Sequence, residues 1–494
     1  MTDINTELTS KFTTGSIFNH IVVMTVTGSI GLLALFLVDF LDLYFISLLG
    51  ETELAAAIGF AGTILFFTAS ISIGLSIGAS VVMSKAVGEG NIENTKQVVL
   101  STLSFSALLA VLVSILALPL APFVLSKLGA VSHTHDLALD YLYILLPSLP
   151  LLGLGMCAGG ILRAIGDAKG AMMVTLTGGL VNAVFDPLFI FGLDMGIQGA
   201  AVASVLARFA IAGVGLYLIF YKHDLKSHFT FRAVRKYLKP MMLVANPAIL
   251  ANIATPVGIA YTVSTIANFG DSAIAGNTIV ARITPVAFAF LFSLSGAVGP
   301  IIGQNLGAGL HDRVKLTVVD SLKFTGAYIL LMWPLFFFGQ DVLISVFNAS
   351  PDSAAMIEVF ATWVVPLTFF TGALFVANAA FNNLGYPLKA TYFNVGKATI
   401  GTIPFVYYGA ELYGAQGVLI GQAIGGALFG ALSIVVCLKT VANLKNASEE
   451  ELKIAEHNIS SRPPLPAYSS ARTFNCPTHE LTEKHMIKPV KSDA

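Results

Sequence analysis

The chain has 494 residues, of which 55% are hydrophobic and only 11% are charged, against about 25% charged in an ordinary globular protein. That is too little charge to cover soluble surfaces of this size, so composition excludes a string of soluble domains and points to a body solvated by lipid. The net charge of −1 argues against nucleic acid as a partner.

The N-terminus is polar up to Lys11, and the apolar stretch after it is too long for the core of a cleavable leader, so it reads as the first membrane span. A bilayer core of about 30 Å needs about 20 apolar residues per helix. Twelve segments meet that length in chain order: 18–49, 53–84, 97–126, 137–162, 171–193, 197–221, 238–268, 273–303, 316–345, 354–384, 388–409 and 413–438. Such runs, rich in internal glycine, fit helices rather than barrel strands, which alternate over about 10 residues. The loops after even-numbered segments carry thirteen Lys and Arg residues, from Lys85 and Arg163 to Arg313 and Lys389, and those after odd-numbered segments carry Lys127 alone. Basic loops stay inside, so both termini are expected in the cytoplasm, with the chain in the plasma (inner) membrane. Six of the thirteen fall in 222–239, midway along the chain. The expected plan is a cytoplasmic N-terminus (1–17), a first lobe of six transmembrane helices (18–221), a basic cytoplasmic linker (222–237), a second six-helix lobe (238–445) and a polar, disordered cytoplasmic tail (446–494). The lipid bilayer and small molecules are the expected partners, and the chain is expected to be monomeric.

Self-similarity recurs at one spacing. Residues 50–55 match 270–275, Val87-Gly88-Glu89-Gly90 matches Leu306-Gly307-Ala308-Gly309, Arg163-Ala164-Ile165-Gly166 matches Asn382-Asn383-Leu384-Gly385, and 195–199 match 413–417, at offsets of 218 to 220. Six is an even number of helices, so both copies point the same way. This predicts an all-α membrane protein of two parallel six-helix repeats, related by an axis along the membrane normal. Such folds place substrate between the halves and alternate access by rocking.

Only three acids lie well inside a span: Asp39 and Asp42 in the first and Asp186 in the fifth. An acid at the bilayer centre costs about 2.5–3.5 kcal/mol on insertion scales and marks function by default. Asp42 stands eight residues before Gly50, Asp186 eight before Asp194 and Ser204 eight after Gly196. At 1.5 Å per residue all three lie about 12 Å below the same boundary. Asn182 shares a helix face with Asp186 one turn away, and Pro187 frees the carbonyl of Ala183. Two carboxylates, an amide, a hydroxyl and a free carbonyl suit a proton, or a sodium ion held at Asp42, Asn182, Asp186 and Ser204. Asp39 lies one turn from Asp42 and would polarise it. The proton is favoured, because it needs only the acids. A purely structural alternative pairs the acids with Arg208, Arg282 or Lys397, residues more often used for packing or snorkelling. The three cysteines, Cys157, Cys437 and Cys476, form no disulfide framework and no metal-ligand spacing. No nucleophile motif or Walker lysine lies within the spans. The chain is therefore expected to be no enzyme, to need no cofactor and to draw on an ion gradient. Its 35 Phe and 12 Met suit an adaptable pocket for aromatic compounds and equally suit lipid-facing surfaces.

The segment from Val38 to Gly50, with Asp42 eight residues before the glycine, resembles the helix 1 signature of the multidrug and toxic compound extrusion (MATE) family. Leu162-Arg163-Ala164-Ile165-Gly166-Asp167 resembles the end of its helix 4. Asp186-Pro187 followed by Gly196-Ile197-Gln198-Gly199 resembles its helix 5–6 connection, and Gly303-Gln304-Asn305-Leu306-Gly307 the end of its helix 8. The likeness covers roughly residues 15–440. It implies a V-shaped transporter that exports cationic or aromatic compounds against an inward proton or sodium gradient. In one branch of the family the cation site lies in the N-lobe. By motif, its helix 1 acid falls on Asp42, its helix 5 amide and acid on Asn182 and Asp186, and its helix 6 hydroxyl on Ser204, where threonine is usual. Another branch uses acids in helices 7 and 10, where this chain has Asn252, Asn378, Asn382 and Asn383. No substrate-binding residue is assigned. The competing reading is a flippase for a lipid-linked saccharide or cell-wall precursor, which should line its cleft with basic residues; the spans offer few.

Overall fold

The computed structural model describes residues 10–47, 52–228 and 230–444; the tail 446–494 and Cys476 lie outside the described residues. Among them there is no strand. After a short turn at Lys11–Thr13 come α1 (Ile17–Ser47), α2 (Thr52–Gly88), α3 (Ile92–Leu128), α4 (Ser132–Ala164), α5 (Ala168–Gly192) and α6 (Gly196–Lys222). The second half holds α7 (Phe231–Ala267), α8 (271–307), α9 (His311–Val346), α10 (Pro351–Asn383), α11 (387–412) and α12 (415–442). The last two run on without a loop, but Tyr413 and Gly414 leave helical geometry (φ −135° and +59°) and separate them.

Apolar length sets the number of helices, and polar end turns set where they stop. Asn91 accepts a hydrogen bond from the Asn94 N–H at 2.9 Å, so α3 starts at Ile92, a turn ahead of its apolar run. The connection between α6 and α7 is 223–230, shorter than the expected linker of 222–237, because Arg232, Arg235 and Lys236 already sit on the first turns of α7. Prolines account for the interruptions. The α4 helix tightens to a 3-10 turn at Leu146–Ser148 around Pro147, α8 breaks at Phe288 just after Pro285, and α10 carries a π-turn at Phe360–Val364 ahead of Pro366.

The repeat is visible in the backbone. Gly90 and Gly309 take φ of +73° and +71°, and Gly166 and Gly385 take +83° and +84°. Past Gly309, Gly166 and Gly385 the chain folds back on the helix it has left: Leu310 N–H donates to the Asn305 carbonyl at 2.8 Å, Asp167 to Leu162 at 2.9 Å and Tyr386 to Phe381 at 2.9 Å. That reversal needs a left-handed residue, which glycine supplies without strain. Packing repeats as well. The α1 helix lies against α8 and α2 against α7, and the two contacts exchange when six helices are added to each number.

The even-numbered connections and the N-terminal turn meet at one end, here the basic end. There Gly88 presses on the carbonyl of Gln304 and Gly307 on the carbonyl of Lys85, with no room for a side chain at either glycine. The Lys11–Thr13 turn bridges the two halves. Lys11 Nζ donates to the Gly166 carbonyl at 3.1 Å, and the Phe12 N–H to Gln304 Oε1 at 3.0 Å. The Phe12 carbonyl accepts from Asn305 Nδ2 at 3.1 Å and Arg313 Nη2 at 2.9 Å. Nearby, Asp167 caps α5 by accepting from the Gly170 N–H at 2.8 Å and takes Lys222 Nζ and His223 Nε2, both at 2.7 Å. Burial alone would raise the Asp167 carboxyl. The hydrogen bonds from His223, Lys222 and Gly170 outweigh burial and hold it below the usual carboxylate range.

Candidate functional site

Asp186 is 1% exposed, one turn beyond the half-buried Asn182 on α5. Directly after Pro187 the helix widens into a π-turn, Leu188–Gly192, closed by the Leu193 N–H on the Leu188 carbonyl at 2.9 Å. Pro187, expected to free the carbonyl of Ala183, is thus followed by a widened turn beside the acid. Asp39 and Asp42 lie on the backbone of α1, but their side chains are outside the described residues. The register of α1 against α5 nevertheless locates their backbone. Gly31 meets Met172 and Thr175, and Gly179 meets Val38, so the two helices run in the same direction. Following those pairings along α1 brings position 42 level with residues 183–186. Against α6, which runs the other way, Gly178 meets Ile211 and Gly199 meets Phe189, which brings Ser204 level with 182–186. Positions 42, 182, 186 and 204 thus occupy one layer across three adjacent helices.

Of the three basic residues offered as structural partners for the acids, one is engaged elsewhere and two line pockets. Arg208 Nη1 donates to the Leu145 carbonyl and to Ser148 Oγ, both at 2.8 Å, at the Pro147 turn of α4. Arg282 lines an apolar groove with Val26, Phe40 and Leu331. Lys397 lines a pocket in the second half.

A cavity of about 230 Å³ opens between the halves. Its walls exchange under the repeat: Ser76 and Ser80 of α2 correspond to Ser295 and Gly299 of α8, and Arg163 of α4 to Asn382 of α10, each pair 219 apart. The cavity therefore sits on the axis that relates the halves, where a rocking motion would open it to either side. Arg163, counted by sequence among the loop residues, belongs to the last turn of α4. Its side chain lies over Gly159 and reaches Gly296 of α8; a methyl on either glycine would lie 3.6 Å from Nη1 or 3.5 Å from Nε. Among the described residues its guanidinium has no hydrogen bond or ion pair. Asn252, Asn378, Asn382 and Asn394 share the cavity, and the Oδ1 atoms of Asn378 and Asn382 are buried without a partner. In the sequence Asn252, Asn378 and Asn382 stand where acids are missing, Asn382 also marks the repeat, and nothing singles out Asn394.

Two larger pockets adjoin. One, of about 820 Å³ at the basic end, shares Asn382 and Asn383 with the cavity and carries Lys85, Lys236, Lys389 and Glu89. The other, of about 400 Å³ inside the second half, shares Phe375 and carries Lys397 with Phe288, Phe292 and Phe360. No group of three or more His, Cys, Asp or Glu side chains converges as for a metal ion among the described residues.

Comparison with known proteins agrees with this layout. The MatE family model matches residues 29–188 and again 247–408, once in each repeat. The chain belongs to the MatE family. A relative from Shewanella oneidensis, named an FAD transporter, is 30% identical over 419 residues, covering 82% of this chain and 91% of that protein. The multidrug export protein MepA of Staphylococcus haemolyticus is 24% identical over 456 residues, covering 90% of this chain and 98% of that one. Among solved structures, an outward-facing multidrug resistance MATE family transporter superposes with a TM-score of 0.83 at 22% identity, over 90% of this chain and all of the other. MatE proteins are transporters rather than enzymes, and this one is a multi-pass membrane protein with two six-helix repeats.

Proposed function

We propose that this MatE protein is a secondary active antiporter of the plasma membrane that exports small aromatic compounds in exchange for inward cations, protons before sodium. Asp42 and Asp186 carry the cation, Asn182 and Ser204 complete its oxygen shell, and Asp39 polarises Asp42. The halves 18–221 and 238–445 rock about the central cavity, the basic end faces the cytoplasm, and the protein works as a monomer. What supports this reading is that positions 42, 182, 186 and 204 share one level within the first half, apart from the cavity on the repeat axis. A cation site and a substrate site that are separate but energetically coupled can exchange their occupants as the halves rock. The multidrug export name of the MepA relative supports small-molecule export, and the FAD transporter name of the Shewanella relative supports small-molecule transport. The cationic substrates expected from the family resemblance find no carboxylate among the described walls of the central cavity.

The test is flux in liposomes holding the purified protein, with a proton or a sodium gradient imposed and a fluorescent aromatic substrate. Asp186→Asn is expected to keep the melting profile and lose gradient-driven flux. Flux at the wild-type level in that variant would sink the assignment. Arg163 gives the flippase alternative one basic residue in the cleft. The same vesicles with a labelled lipid-linked diphosphate and no gradient separate the two readings.

A further inference from the structure

Of the charged side chains in the walls of the three adjoining pockets, all but one are basic. Arg163 stands in the central cavity, Lys85, Lys236 and Lys389 in the pocket at the basic end, and Lys397 in the pocket of the second half; the one acid is the exposed Glu89. Walls of one sign in a low-dielectric interior focus a positive potential along the route. Two of these cations have no polar partner in the described fold. Arg208 and Arg313 use their guanidinium groups on backbone carbonyls and neighbouring side chains. Arg163 and Lys397, by contrast, have no hydrogen bond or ion pair among the described residues. A charged group inside a membrane protein is expensive and is retained for a partner. Here the described residues supply none, and each lines a cavity.

The chemistry of the partner follows. A guanidinium matches a phosphate or carboxylate with two parallel N–H bonds. The unpartnered amides of Asn378 and Asn382 offer acceptors to ring N–H groups. Phe288, Phe292 and Phe375 supply faces for an aromatic body next to Lys397. The geometry points to an anionic aromatic substrate, with Arg163 as the residue that selects for negative charge and Lys397 as a second anion contact. This assignment names the substrate class of the exporter proposed above and rests on that reading.

Riboflavin 5′-phosphate and riboflavin form a matched pair that differs by one phosphate, and ethidium serves as a cationic counterpart. Binding is read first, by quenching of flavin fluorescence on the full-length protein in detergent. Wild type is expected to bind the phosphate about tenfold or more tightly than riboflavin, the span of one charge-assisted contact. Arg163→Gln should bring the phosphate down to riboflavin's affinity, with the melting profile of the variant reporting the fold. Arg163→Lys should restore part of the difference, and Lys397→Gln should cost less than Arg163→Gln. Gradient-driven flux in liposomes should follow the same order, with ethidium moved least. Equal binding of the two flavins, no binding of the phosphate, an unchanged ratio in Arg163→Gln, or preferred transport of ethidium would overturn the inference. Selective binding of the phosphate without gradient-driven flux would leave the anion site standing and remove the exporter reading instead.

Discussion

Ser204 and Asn182 separate the two coupling ions. A proton needs only the acids, whereas sodium needs neutral oxygens at fixed distances, and serine aims its hydroxyl less firmly than the family's threonine. The Asn182→Ala, Ser204→Ala double variant should keep substantial export under a pH gradient, and sodium should add little to the parent. Export that needs sodium at constant pH, and vanishes in the double variant, would reverse the choice of ion. Asp167 answers to pH in a known direction. Its carboxyl is held below the ordinary range, so its contribution to stability is complete above about pH 3.9 and is lost only as pH falls through the lower folded value. Asp167→Ala removes a helix cap worth about 1 kcal/mol together with the partner of Lys222 and His223, and should lower the melting temperature. Asp167→Asn keeps the cap, loses the charge and should fall between. The gap between wild type and Asp167→Asn should persist at about pH 5 and close in stronger acid; a gap that closed above that range would refute the stated direction. Asp186 stood out in sequence because an acid in an apolar run is costly, even with a structural pairing as the alternative. Arg163 did not, because a basic residue one turn from a loop looks like a topogenic charge until the fold shows where its side chain points.

Helix ends carry the closure of the molecule. The α2 and α8 helices touch through Gly88 on the Gln304 carbonyl and Gly307 on the Lys85 carbonyl, two contacts that exchange at the 219-residue spacing. The Phe12 turn then ties Gly166 of one half to Gln304, Asn305 and Arg313 of the other. A methyl at either glycine meets backbone, which cannot move aside as a flexible side chain would. Gly88→Ala and Gly307→Ala are therefore expected to push the basic ends apart. Spin labels on the 89–91 and 308–310 connections should report a longer distance than in wild type, with slower export. An unchanged distance in both variants would show that this contact does not hold the ends together. The glycines themselves were legible as repeat markers. Their role in bringing two carbonyls against two helices was not, because close approach depends on the crossing of α2 and α8, which sequence similarity at a fixed offset does not describe. The prolines were partly legible in the same way: Pro187 signalled a broken helix, but the π-turn that followed depends on how α5 meets α6.

Across the whole molecule the count, order and duplication of helices followed from apolar run length and one recurring offset, both properties of the chain that need no tertiary contact to be read. The cavity walls did not follow. They are built from α2, α4, α7, α8, α10 and α11 together, and only the axis between the halves gathers Ser76, Arg163, Asn252, Ser295 and Asn382 around one space. Orientation in the membrane is the remaining property at this scale. The contacts of Lys11 with Gly166, Lys222 with Asp167, Lys96 with Asp224 and Arg313 with Gly15 gather the N-terminal turn and the even-numbered connections at one end. Thirteen of the fourteen loop-associated basic residues read from sequence belong to that end, and Lys127 alone to the other. Basic residues near span ends resist translocation, so the basic end should face the cytoplasm. The choice for a probe is the 223–230 connection, where the half-buried Ser227 lies outside both flanking helices between the exposed Lys226 and His228. With Cys157 and Cys437 buried, Cys476 replaced by serine and Ser227→Cys introduced, a membrane-impermeant maleimide should leave intact cells unlabelled and label the same protein in inside-out vesicles. Efficient labelling of Ser227→Cys from outside intact cells would invert the orientation and, with it, the direction of transport proposed for the chain.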